Sequence, residues 1–277
     1  MCVGIFCLVV NDSFAKWLTA HYSPLQIVFG RNLLALPIVV ALVLWLRGRE
    51  GLGTRHLMLH AARGVLMVAS AYAFFRGIAV LPLAEATSLI FAAPIFITAL
   101  SVPLLGEKVG WRRWTAVLVG FMGVLIVVRP GAAAFHPASL WVLAAAVQYA
   151  LLMISARWIG EDEDAWTLMV WVVIFQLLYS GLTAPLVWVP PDPWHLLPVL
   201  GMAVFGTLGM TLISQAFRLG AAAVVAPFEY TALIWASLFG WLFWGEVPAS
   251  SVYAGAAVIV ASGIYIVVRE TRVRGGG

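Results

Sequence analysis

Apolar residues fill this chain in long blocks, and short polar breaks separate one block from the next. A helix needs about 20 apolar residues to cross ~30 Å of hydrocarbon. On that measure the blocks predict ten spans, at roughly 1–18, 24–46, 57–76, 82–104, 112–128, 139–157, 166–188, 195–216, 220–244 and 250–268. The breaks carry turn chemistry: His21-Tyr22-Ser23-Pro24, Arg47-Gly48-Arg49-Glu50-Gly51, Gly106-Glu107-Lys108 and Pro190-Pro191-Asp192-Pro193. The alternation of a barrel strand is absent, so the spans read as helices. The predicted fold class is an all-α integral membrane protein with ten transmembrane helices.

Composition removes the soluble alternative. Of 277 residues, 63% are hydrophobic and 10% charged, against about 45–50% and 25% in a soluble domain. A water-exposed surface with that balance would carry large apolar patches and aggregate. The loops left over are too short for a soluble domain with its own core. The net charge of +4 does not indicate nucleic acid, because the sixteen Lys and Arg are scattered between apolar runs. Cys2 and Cys7, five residues apart in the first span, read as small buried hydrophobes, not a disulfide or metal pair. No basic stretch precedes the first apolar run, so a cleavable signal peptide is not expected.

Basic residues set the orientation. With the N-terminus in the cytoplasm, the inner loops and tail hold Arg47, Arg49, Arg55, Lys108, Arg112, Arg113, Arg157, Arg218, Arg269, Arg272 and Arg274, while the outer loops hold Lys16, Arg76 and Arg129. Eleven against three predicts both termini inside.

The chain also repeats itself. Gly123-Val124-Leu125-Ile126-Val127-Val128-Arg129 ends the fifth span and Gly263-Ile264-Tyr265-Ile266-Val267-Val268-Arg269 the tenth, 140 residues later with five of seven identical. Gly106-Glu107 precedes the fifth span as Gly245-Glu246 precedes the tenth, and Ala15-Lys16-Trp17 closes the first span as Ala156-Arg157-Trp158 closes the sixth. Two halves, 1–130 and 131–277, therefore hold five spans each. An odd number inverts the second half in the membrane, and inverted repeats present two mirror-related openings around one central site.

Ionisable residues inside spans are costly and point to sites. Asp12 and Arg31 both lie about 9–10 Å deep from the same side. A structural ion pair is the first reading and a clamp for substrate carboxylate and ammonium the second. Glu229, beside Pro227, reads as a site for a substrate amine or a coupling proton, or else as a protonated side chain bonded to a neighbouring helix. Asn11, Tyr72, Ser88, Gln148, Tyr149, Gln215 and Tyr230 supply polar and aromatic groups from six spans. With Glu229 they form the expected substrate-binding set.

Other polar residues read as structural. Glu85 and Arg63 are expected near water, Arg63 by snorkelling. Glu107 and Glu246 are expected to cap the following helices or bond turn amides. His56 and His60 stand one turn apart at an inner interface, with no third ligand to make a metal site. Glu161-Asp162-Glu163-Asp164 is expected as a solvated turn, and the Gly201–Gly209 run as a close helix contact. No nucleotide-binding loop is present, no cofactor or metal is implied, and no nucleophile constellation suggests an enzyme.

These motifs together resemble the EamA branch of the drug/metabolite transporter superfamily. The resemblance is carried by Pro94 through Gly106-Glu107 and the Gly123 run, and again by Pro227 through Gly245-Glu246 and the Gly263 run. Lys16-Trp17 and Pro24-Leu25-Gln26-Ile27-Val28-Phe29-Gly30-Arg31 resemble the family's first- and second-helix patterns. Within it the chain is most similar to the YddG-type amino-acid exporters. The resemblance implies a non-ATP exporter of amino acids or related metabolites in the bacterial inner membrane. Carriers of other metabolites or drugs, and channels, remain the alternatives. The implied partners are a small-molecule substrate and the lipid bilayer, with no nucleic acid and the unit taken as monomeric.

Overall fold

The computed structural model describes residues 1–107, 110–129, 135–159, 163–219 and 225–274. Lys108, Glu161 and Asp162, and the side chains of Arg113, Arg218, Arg269, Arg272 and Arg274, lie outside the described residues.

Among the described residues the chain is helical, without strands. The α-helices are α1 (Cys2–Leu18), α2 (Pro24–Arg47), α3 (Leu57–Ile78), α4 (Leu83–Ile90), α5 (Ala93–Leu105), α6 (Trp111–Val128), α7 (Ala138–Ile159), α8 (Ala165–Thr183), α9 (Leu196–Leu219), α10 (Ala232–Trp244) and α11 (Ser250–Arg274). Each expected span overlaps one of these or a broken pair, except that residues 220–224, the start of the ninth, lie outside the described residues. Six segments are long and apolar enough by themselves to cross a bilayer: Pro24–Leu52, Leu57–Ile78, Leu83–Leu105, Ala138–Ile159, Ala165–Val187 and Pro193–Ala216. The apolar stretches Trp114–Val128 and Ser250–Ile266 are shorter.

The fourth span is two helices where the sequence suggested one. Pro94 has no N–H to give the carbonyl of Ile90, and the chain passes through Phe91 and Ala92 in a single tight turn before α5 begins. Ala226–Thr231 is likewise a 3-10 turn leading into α10. Both breaks free backbone groups inside the bundle, which a membrane tolerates only where protein or water receives them.

Glycine contacts fix how the helices pair. Gly4 of α1 lies against Gly209 of α9, and Gly201 against Phe14, so these two helices run antiparallel. Between α3 and α7, Ser70 bonds the carbonyl of Ala145 at 3.1 Å and Gly77 meets Val142. Between α6 and α11, a Cβ on Gly255 would stand 2.7 Å from the carbonyl oxygen of Gly123, a gap only hydrogen fits. Phe29 of α2 meets Gly181 of α8, while Arg47 reaches Asp164 at the other end. Without water to drive association, such small-residue contacts let dispersion hold the bundle. The apolar periphery stays exposed, with Trp45 81%, Met58 85% and Trp194 83% accessible. That surface suits lipid.

Candidate functional site

Two turns built alike stand at different places in the bundle. Gly106 and Gly245 adopt φ of 67° and 65°, the left-handed conformation that glycine allows without strain. Each closes its helix with the same crossed pair of bonds, Gly106 N–H to Val102 and Glu107 N–H to Ser101, Gly245 N–H to Trp241 and Glu246 N–H to Gly240. Each places a glutamate immediately after the glycine.

Among the described residues, neither glutamate caps the helix that follows it. Glu246 Oε1 stands 2.5 Å from Lys16 Nζ at the end of α1, and Oε2 accepts the Leu83 N–H at 2.9 Å. It therefore caps α4, whose own N-cap residue offers no side-chain bond. Lys16 also donates to the carbonyl of Leu81 at 2.6 Å and lies over the Trp244 ring. Glu107 pairs with Arg157 at the end of α7. Lys16 and Glu246 are 7% and 19% exposed, Arg157 and Glu107 38% and 33%, so one pair is sealed and the other open.

Inside the bundle, α1, α2 and α9 bring Asn11, Asp12, Arg31 and Gly206 together. Asn11 Nδ2 donates to Asp12 Oδ1 at 2.9 Å. Arg31 lies within reach of the Asp12 charge, but the expected direct ion pair is not made. Arg31 Nε and Asn11 Oδ1 are both buried without a hydrogen-bond partner. A Cβ on Gly206 would stand 3.0 Å from Asn11 Oδ1 and 3.1 Å from an Arg31 terminal nitrogen, so glycine makes the space in which they converge.

A second group forms at the broken helices. Tyr230 meets Phe91 edge to face with ring centroids 5.0 Å apart, and its hydroxyl end packs on Gly263. Glu229 is near enough for its charge to act on Tyr149 and Tyr230, and neither a hydrogen bond nor an ion pair holds it among the described residues. Gln148 Oε1 is buried without a partner.

The remaining expected site residues are elsewhere. Ser88 is fully buried and bonds back to the Ala84 carbonyl at 2.7 Å, so its hydroxyl is already used. Tyr72 packs edge to face on Trp141. Gln215 lines a crevice of about 440 Å³ with Leu46, Arg47, Asp164 and Trp166, away from Asn11.

Several polar residues are more enclosed than the sequence suggests. Arg63 is 4% exposed and ties α3 to α7 through the Leu152 carbonyl at 3.0 Å and Ser155 at 2.9 Å. Glu85 is partly buried, within reach of the His136 and Arg129 charges. His60 is fully buried, 2.6 Å from Glu163 and stacked on Trp171. Glu163 and Asp164 are not a solvated turn. Glu163 accepts from Thr54 at 2.5 Å and from the Arg55 amide at 3.0 Å, while Asp164 caps α8 through Thr167 and binds Arg47 at 2.5 Å. Burial opposes ionisation of both carboxyls, but these bonds outweigh it and hold each below the usual carboxylate range. Cys7 is buried as expected, Cys2 exposed.

The ion-pair partners Lys16 with Glu246 and Arg157 with Glu107 were the largest omission from the sequence reading. The signal was present: each pair joins one member of the repeated Ala-Lys/Arg-Trp to one member of the repeated Gly-Glu.

Comparison with known proteins decides what class of molecule carries these features. The model of the EamA-like transporter family matches this chain twice, over residues 1–129 and 136–269. The chain belongs to that family. It is therefore a multi-pass membrane transporter. Similar proteins include the S-adenosylmethionine uptake transporter of Rickettsia prowazekii (strain Madrid E), 25% identical over 95% of this chain and 89% of that one. The riboflavin transporter of Vibrio cholerae serotype O1 is 30% identical over 97% and 91%. The pseudopaline exporter CntI of Pseudomonas aeruginosa is 28% identical over 93% and 90%. A solved crystal structure superposes with a TM-score of 0.64 at 18% identity, covering 99% of this chain and 98% of that one, a likeness of fold. The family is one of transporters, and these relatives are transporters of metabolites.

Proposed function

We propose that this transporter of the EamA-like family is a secondary carrier that exports amino acids or related small metabolites across the bacterial cytoplasmic membrane by alternating access. Its ten spans form two inverted five-helix halves, 1–130 and 131–277, with both termini in the cytoplasm.

The observation that carries this reading is the relation between the two ion pairs. Shifting Lys16 by 141 residues gives Arg157, and shifting Glu107 by 139 gives Glu246. Exchanging the halves therefore turns Lys16–Glu246 into Arg157–Glu107. In inverted halves the two pairs stand at opposite membrane faces, Lys16–Glu246 outside and Arg157–Glu107 inside. The helix pairings support the same exchange. It carries α1 against α9 onto α7 against α3, and leaves α2–α8 and α6–α11 as they are. All four pairs are antiparallel in their contacts.

Each ion pair then works as a latch. The sealed pair joins α1, α4 and the α10–α11 turn at the outer end, while its counterpart stays a third exposed. Breaking the sealed latch leaves buried charges, which is costly unless water enters. Rocking that opens the outer end and buries the inner pair exchanges one such cost for the other, so neither state dominates by much. Small differential binding of a solute then shifts the population. The relatives carry solutes as different as S-adenosylmethionine, riboflavin and pseudopaline, which keeps a carrier of other metabolites as the second reading.

Purified protein in liposomes, loaded with unlabelled solute and challenged with a labelled panel of amino acids, S-adenosylmethionine and riboflavin, tests this reading. Saturable counterflow of a panel member is expected. Non-saturating flux without counterflow indicates a channel and contradicts it.

A further inference from the structure

An arginine inside a membrane bundle ordinarily spends its donors on carbonyls or carboxylates, because each unmade bond in a low-dielectric interior is expensive. Arg63 in this same bundle does so, with both the Leu152 carbonyl and Ser155. Arg31 does not. It lies seven residues into α2 from Pro24, about 10 Å along the helix, and none of its five N–H groups bonds a described residue, Nε being buried and partnerless. Asn11 beside it is 6% exposed, and its Oδ1 has no donor. Asp12 receives one bond, from Asn11, and has acceptor sites left over. The Asp12 and Arg31 charges act on each other without touching.

Unused donors on one side and unused acceptors on the other select a ligand by its chemistry. Five guanidinium N–H groups in a planar fork match a carboxylate through two parallel bonds. An acceptor-rich pair, the Asp12 carboxylate and the Asn11 carbonyl, matches an ammonium. Gly206 leaves the α9 backbone bare at that place, where a methyl group would press on Asn11 and Arg31. A purely anionic or purely cationic solute would satisfy one side only.

We propose that Asn11, Asp12 and Arg31, over Gly206, form the site that holds the α-amino-carboxylate head of the transported solute, the carboxylate on Arg31 and the ammonium on Asp12 and Asn11. Asp12 and Arg31 are then not a structural ion pair but the two ends of one binding site. This assignment rests on the carrier reading above and narrows it to solutes bearing that head, leaving the rest of the molecule to be recognised elsewhere.

The test compares ligands before it compares proteins. Thermal unfolding of the purified full chain in detergent is followed with each of the common L-α-amino acids and S-adenosylmethionine, and each against its carboxamide and its decarboxylated amine. Stabilisation by one or more of the intact heads is expected, with at least a tenfold weaker midpoint for both the carboxamide and the amine. In Arg31→Gln and Asp12→Asn the response is expected to fall at least tenfold, and Arg31→Lys to fall between the two, because lysine keeps the charge and loses the fork. Should a variant fail to fold, the ligand comparison on the parent protein still decides. Equal stabilisation by acid, amide and amine, or no stabilisation by any α-amino acid, overturns the site. Saturable counterflow of riboflavin unchanged in Arg31→Gln, with no amino-acid response, overturns it while leaving the carrier intact. Absence of counterflow for every solute, with acid-selective stabilisation retained, supports the site and removes the carrier reading.

Discussion

Phe91 and Tyr230 meet edge to face with ring centroids 5.0 Å apart, and 139 residues separate them, the same interval that separates Glu107 from Glu246. The two rings are thus equivalent positions of the repeat, each sitting where its own span is broken. On the proposed reading of two inverted halves, such a meeting of counterparts is expected where the axis relating them passes.

That meeting has a measurable energy. Edge-to-face pairs add about 0.5–1.5 kcal/mol beyond the area they bury. A double-mutant cycle with Phe91→Leu and Tyr230→Leu, read by thermal unfolding in detergent, is expected to give a coupling of that size. Additive effects would show that the rings do not support one another.

The two ion pairs should differ in what they contribute. Lys16 and Glu246 are nearly sealed, so Lys16→Met alone leaves a buried carboxylate unpaired and is expected to destabilise by about 3–5 kcal/mol. Pairing it with Glu246→Leu should recover part of that loss, less the cap of α4 at Leu83. Arg157→Met removes a pair with both partners a third exposed, and a change within about 1 kcal/mol is expected. Equal losses would contradict the sealed-and-open difference.

Glu163 and Asp164 ionise more readily in the folded protein than in the unfolded chain. Their stabilisation is therefore complete above the unfolded carboxyl range, and is lost as pH falls through the lower folded values. Melting temperature is expected to drop as the medium is taken below about pH 4, and less steeply in Glu163→Gln. A parallel drop in both proteins would place the acid-sensitive groups elsewhere.

The contact between α6 and α11 depends on an absent side chain. Gly255→Val sets methyl groups against the Gly123 carbonyl and Val127, and overpacking of this kind costs about 1–3 kcal/mol. Gly110→Ala, where no described residue lies within 4 Å, is the control and should lose only the part of about 1 kcal/mol by which alanine is a poorer N-cap than glycine.

Glu229 has no ion partner among the described residues, so its carboxyl is a candidate to take a proton or a cation. Transport by Glu229→Gln is expected to lose its dependence on an imposed pH gradient. Unchanged dependence, measured in the liposome assay, would assign Glu229 a structural part.

Much of this was legible in the chain itself. Hydropathy reads the solvent around a segment, so helix limits such as 24–46 and 139–157 fell within a few residues of α2 and α7. The repeat was readable because Gly-Glu and Ala-Lys/Arg-Trp recur in order. Partners were not readable, because they are chosen by tertiary contact. His60 lies 103 residues from Glu163 and Arg63 lies 92 from Ser155, and no local pattern records either. Ser88 and Tyr72 stood out in the sequence for the same reason as Arg63. A polar group in an apolar helix signals a need for a partner, and the sequence does not say whether the helix's own backbone, another helix or a solute supplies it.

The inverted arrangement is the claim on which the latches and the axis depend, and position labelling tests it most directly. Gly110 and Ser250 are exposed and stand 140 residues apart at the starts of α6 and α11. With Cys2 and Cys7 replaced by alanine, Gly110→Cys and Ser250→Cys are each treated in intact cells with a membrane-impermeant maleimide. Labelling of Ser250→Cys alone is expected, with Gly110→Cys reacting only after the cells are opened; reaction of both from the same side contradicts the account.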